Sequence, residues 1–93
     1  MSGEVTLTGT LTCISEDEAV RVRASLPDHI ALTRAEQGCI SFDVSPTDNP
    51  IVWTVSERFE DAASFEAHQT RTASSDWATQ TKGIARAYKI DGM

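Results

Sequence analysis

The chain of 93 residues predicts an α+β fold, a ferredoxin-like βαββαβ arrangement with one antiparallel sheet, and three observations carry that reading. Four segments alternate apolar and polar residues with the period of two that a half-buried strand requires. Two segments between them open on a helix-capping residue and continue with apolar residues three and four apart. The order strand, helix, strand, strand, helix, strand then places both helices on one face of a single sheet.

The first strand is expected over residues 4–14, where Val5, Leu7, Leu11 and Cys13 share one face with Gly9 and four threonines share the other. Gly9 marks a bulge or a close approach by another group. Ser15 and Glu18 form a capping box that starts the first helix. Its inward stripe is Ala19, Val22, Leu26, Ile30 and Thr33. Pro27 interrupts that helix and should kink it, and Gly38 is a natural residue to end it near Gln37. Residues 39–45 alternate again, with Ile40, Phe42 and Val44 on one side, and the run P-T-D-N-P over 46–50 is turn chemistry. A strand over 51–59 follows, making a hairpin. Trp53, Val55, Glu57 and Phe59 share one parity, and Thr54, Ser56 and Arg58 the other.

Asp61 is a good N-cap for a second helix running to about Gln69. A polar joint, T-R-T-A-S-S, leads to a short helix capped by Ser75 and carrying Trp77. The last strand covers 84–90. The usual strand order, 4-1-3-2, keeps Cys13 and Cys39 apart, so both are expected to be small buried thiols in a reducing, cytoplasmic setting. The uncovered sheet face must meet water or a second subunit, and a homodimer formed sheet against sheet is expected.

Composition narrows the function. Forty per cent hydrophobic and 24% charged residues suit one globular domain over 1–93. A net charge of −6 without a Lys/Arg cluster makes nucleic acid a poor partner. No apolar run approaches the roughly 20 residues of a membrane span, and the N-terminus lacks the pattern of a secretion signal. Dinucleotide, P-loop and zinc-protease motifs are missing. Two histidines are too few and too isolated for a metal site. Catalysis would therefore rest on acid–base groups in an apolar cavity.

His68 is the best candidate base, because imidazole titrates near neutrality and follows Phe65 at the edge of the second helix's apolar face; the alternative is a helix-margin histidine that only hydrogen-bonds a neighbour. His29 can line the same cavity or simply pack. Trp77 offers a flat apolar wall with an N–H handle, whereas Trp53 reads as core or interface. Glu57 and Arg58 point to opposite faces of one strand: if the Phe59 side faces the helices, Glu57 does too, and Arg58 faces the partner subunit. A structural salt bridge accounts for both.

The segment E-Q-G-C-I-S-F-D-V over 36–44 and the strand-to-helix passage V-S-E-R-F-E-D-A-A-S-F-E-A-H over 55–68 resemble the antibiotic biosynthesis monooxygenase domain family, which includes quinol monooxygenases. The resemblance covers nearly the whole chain. It implies a dimeric α+β barrel whose subunits each hold a pocket between helices and sheet. It also implies oxidation of a quinol-like or polycyclic aromatic compound by molecular oxygen with no cofactor: no flavin, metal or haem. On that footing His68 is the catalytic base or hydrogen-bond donor, and Phe59, Phe65, Trp77 and His29 line the substrate. Phe59 stands where many relatives carry Trp. The haem-degrading branch uses an asparagine on the first strand and a later histidine, neither of which this chain has. A binding protein without catalysis, or an isomerase of the same fold, is the alternative.

Overall fold

The computed structural model describes residues 3–93 and follows the expected order: β1 (Val5–Thr12), α1 (Glu16–Arg34), β2 (Cys39–Pro46), β3 (Val52–Phe59), α2 (Ala62–Ala73), α3 (Asp76–Gln80) and β4 (Ala85–Asp91). The sheet is antiparallel throughout with spatial order β2-β3-β1-β4. Cys13 and Cys39 are both free. Among the described residues no helix is long and apolar enough to cross a membrane.

Each element is set by the local signal that predicts it. Ser15 Oγ accepts the Glu18 amide, the Glu18 carboxylate accepts the Ile14 amide, and Asp61 accepts the Ser64 amide at 2.7 Å. Strand alternation puts Val5, Leu7, Leu11, Phe42, Val44, Trp53, Val55 and Phe59 into one core under the helices. Thr8, Thr54, Ser56 and Arg58 point to the other, polar face. Gly9 is a close approach: a Cβ there would stand 2.0 Å from the Ala87 carbonyl oxygen of β4.

Four local expectations change, and each change bears on the site. First, α1 runs through Pro27 and ends at Arg34, with Ala35 as its C-cap, so Gln37 lies beyond it. Gly38 sits in the connection at φ +87°, where a Cβ would meet Ser64 Oγ at 2.1 Å. Only glycine supplies both the left-handed backbone and the room. This early ending takes Glu36 off the helix and lets its carboxylate reach α2.

Second, the buried stripe of α1 contains Val22, Ser25, Leu26, His29 and Thr33, with Ile30 only half-buried. The spacing 22-26-29-33 is the better helical face, and it carries a histidine where apolarity pointed to isoleucine. Third, Ile40 falls at a bulge between Cys39, paired with Phe59, and Ser41, paired with Arg58. The extra residue breaks the alternation, so Ile40 is exposed while Phe42 and Val44 stay buried. Fourth, α2 extends one turn past Gln69 to Ala73. The polar composition of that turn hides it, because its stability comes from Arg71, which anchors it to Glu36 and to Thr33 Oγ1.

Candidate functional site

Beneath α2 and beside β4 lies a cavity of about 290 Å³ lined by Leu7, His29, Glu57, His68, Gln69, Thr72, Trp77, Ala78, Arg86 and Tyr88. Its centre is His68, 2% exposed. His68 Nδ1 lies 2.7 Å from Glu36 Oε1, and the other Glu36 oxygen holds Arg71 in a charge-assisted hydrogen bond. A carboxylate engaged in that way can only accept, so Nδ1 carries the proton and donates it. Nε2 then carries the lone pair of the neutral ring and accepts from the Thr72 hydroxyl. It stands 3.4 Å from Thr72 Oγ1 and 3.7 Å from Glu57 Oε1. Burial pushes His68 below its ordinary 6.5, against the opposing pull of the Glu36 carboxylate. The ring is neutral at pH 7 and oriented by a carboxylate, an arrangement able to accept a proton at Nε2.

His29 and Trp77 make the flat wall. Their rings stack at 4.8 Å and 1°, and Phe42 meets His29 edge-on at 5.3 Å. Burial drives His29 down to about 4, so it too is neutral. Its Nδ1 is buried without a hydrogen-bond partner. α3 holds Trp77 in place through Thr81, whose hydroxyl donates to the Trp77 carbonyl at 2.6 Å and accepts from Arg86 at 2.7 Å. Arg86 also donates to the carbonyls of Thr81 and Ile84.

Of the residues singled out in the sequence, His68, His29 and Trp77 converge on the cavity. Phe59 and Phe65 do not line it. They are buried behind His68, with the Phe59 ring 4.9 Å from the imidazole and 5.7 Å from Phe65. Trp53 is core. The salt-bridge reading of Glu57 and Arg58 splits. Arg58 makes a two-point ion pair with Glu4 at 2.8 and 3.1 Å. Among the described residues Glu57 has no such cation, and its Oε1 is buried without a hydrogen-bond partner. The physical reason is parity: Glu57 shares the inward face with Phe59, where every nearby guanidinium is already spoken for.

Glu36, Arg71, Thr72, Arg86 and Tyr88 were not singled out for the site. Glu36 lies in the quoted E-Q-G-C segment, and Arg71 is three residues after His68, so a longer α2 would have placed it on the same face. Among the described residues no group of three or more His, Cys, Asp or Glu side chains is arranged to hold a metal ion.

The sequence matches the family model described as antibiotic biosynthesis monooxygenase over residues 5–80. No curated protein matches it. Among solved structures the chain is similar to PA3566 from Pseudomonas aeruginosa, at 26% identity and a TM-score of 0.73, covering 98% of this chain and 92% of that one. It is similar in fold to Rv0793 from Mycobacterium tuberculosis, at 20% identity and a TM-score of 0.72 over 94% and 91% of the two chains. SnoaB from Streptomyces nogalater, a cofactor-independent oxygenase, shares the fold at 12% identity and a TM-score of 0.77 over 94% and 89%.

Proposed function

The chain belongs to the antibiotic biosynthesis monooxygenase family, and we propose that it is a cofactor-independent monooxygenase that oxidises a quinol-like or polycyclic aromatic compound with molecular oxygen. The observation that carries the reading is the Glu36–His68 pair, which leaves an unprotonated Nε2 facing a cavity with an aromatic wall. The likeness to SnoaB supports the fold that such chemistry uses.

The chemistry follows from the substrate. An electron-rich phenol or anthrone gives up a proton to His68 Nε2, and the resulting anion is reducing enough to pass electrons to oxygen. The chain supplies the base and holds the ring against His29 and Trp77. Phe59 and Phe65 pack behind the imidazole and fix its plane, while Glu36 fixes its tautomer. A volume of about 290 Å³ lies at the small end of ligand sites, which run from about 300 to 1,000 Å³. It favours a compact ring system over an extended polycycle.

The working unit is a homodimer closed through the outer sheet face, where Thr8, Thr54 and Ser56 are small enough for two sheets to approach. The free thiols support a reducing, cytoplasmic setting. A proton-shifting isomerase is the second reading, favoured by the placement of Glu57 opposite His68.

Oxygen uptake by the metal-free and flavin-free protein with a panel of quinols and anthrones tests the proposal. Uptake that falls about 100-fold in His68→Ala is expected. Turnover that continues in the absence of oxygen would move the assignment to the isomerase. Binding of those compounds without any turnover would leave a binding protein.

A further inference from the structure

We propose that Glu57 is a second proton-handling group of this cavity, a neutral carboxylic acid facing His68 Nε2 that delivers its proton to the oxygen-derived end of the bound compound. What it protonates rests on the oxygenase reading above; its protonation state rests on its burial and on the lack of a facing cation among the described residues.

Glu57 is 6% exposed on β3 and lines the cavity. Its Oε1 and His29 Nδ1 are the two buried side-chain atoms without a hydrogen-bond partner among the described residues. Both belong to cavity-lining side chains. Buried polar atoms are normally satisfied, so two orphans around one space point to a ligand that completes them. A carboxylate buried without a donor is disfavoured unless a cation pairs with it.

The charged and titratable groups that face Glu57 give no such cation. From α2, Arg71 is committed to Glu36 and Thr33. From β4, Arg86 is committed to Thr81 and Ile84, and Tyr88 is a neutral phenol. From α1, His29 is neutral. From the α1–β2 connection, the Glu36 carboxylate repels a second negative charge. His68 Nε2 stands 3.7 Å from Glu57 Oε1, a gap that one bridging water or the bound compound closes for proton exchange. Burial first, and Glu36 second, push Glu57 up to about 7. A group poised there donates and recovers a proton with little loss in either direction.

The step balances. His68 Nε2 takes a proton from the substrate, and the carbanion adds oxygen, forming a C–O bond and a peroxide anion. Carbon is oxidised by two electrons and oxygen is reduced to the peroxide level. Glu57 gives its proton to the terminal peroxide oxygen, and protonated His68 returns one to Glu57. Substrate and oxygen have become a hydroperoxide, and both residues are restored.

Carbon-13 NMR of the ligand-free protein carrying Cδ-labelled glutamate tests the protonation state without any substrate. One carboxyl titrating near 7, and missing in Glu57→Gln, is expected. A spectrum in which every glutamate titrates in the ordinary range around 4.3 would overturn the proposal. In the oxygen-uptake assay, Glu57→Gln should lower kcat about tenfold or more with KM little changed. Unchanged kcat in that variant overturns the proton-donor role while the oxygenase reading stands. A wild type that takes up no oxygen removes the oxygenase reading and with it the peroxide step, while the carbon-13 titration still decides the protonation state.

Discussion

Glu57 and Arg58 are consecutive residues of β3, yet they sit in opposite worlds. Arg58 faces outward, half-exposed, and meets Glu4 through two hydrogen bonds. Glu57 faces inward among Leu7, Trp77 and two histidines, and among the described residues no cation meets it. The outer face of the sheet satisfies its charges where water would have satisfied them anyway, so little stability depends on the pairing. The inner face holds a charge-bearing group where burial works against it. The contrast teaches which polar residue to follow: the one whose placement the fold tolerates at a cost points to function.

The largest expected effect tests the inner face as packing. Phe59→Ala removes a ring that is fully buried behind His68 and should destabilise the chain by about 3–5 kcal/mol. Urea denaturation measures it, and a loss under about 1 kcal/mol would mean that the inner face is not the core described here.

Glu57→Gln tests the same face with the opposite sign. Glu57 titrates at about 7 in the fold, above its ordinary 4.5. Between those values the folded chain binds a proton that the unfolded chain does not, so stability is full below 4.5 and falls as pH rises through 7. Removing the carboxyl should therefore stabilise the chain by about 2–3 kcal/mol at pH 8 and change it little at pH 5. His29 acts on the other limb. Its folded value of about 4 lies below 6.5, so the unfolded state binds the extra proton and stability falls as pH drops from 6.5 toward 4. Wild-type stability is thus squeezed between two buried groups of one cavity. Equal melting temperatures for Glu57→Gln and wild type at pH 8 would break the comparison.

Arg58→Ala is the smallest effect. In a single subunit its loss should leave the melting temperature within measurement error and remove a weak salt dependence, because an exposed pair is screened. At concentrations where the proposed dimer closes over this face, a drop that grows with protein concentration is expected, and a melting temperature unchanged at every concentration would count against that dimer.

The sequence made the architecture legible because its signals are local. Alternation in β1 and β3, the Ser15 and Asp61 caps and the 46–50 turn each act within a few residues, and together they leave one topology. The site was legible only where a chemically distinctive residue stood on an expected face, as with His68 and Trp77. Glu36 stayed hidden because its role depends on α1 ending at Arg34, a boundary that Gly38's close packing on Ser64 sets through space. Arg71 stayed hidden because the last turn of α2 is held by a tertiary ion pair and not by propensity. Glu57 shared the inward parity all along. What alternation cannot supply is whether a partner waits there, and the missing partner is what gives it meaning.

The measurement that tests the account most directly is nitrogen-15 NMR of the His68 ring as a function of pH. A neutral imidazole at pH 7 is expected, with the proton on Nδ1 held by Glu36 and the Nε2 lone pair turned to Thr72 and the cavity, titrating below the ordinary 6.5. In Glu36→Gln that tautomer preference should weaken. A ring protonated on both nitrogens at pH 7, or one carrying its proton on Nε2, would contradict the account, because no lone pair would then face the substrate.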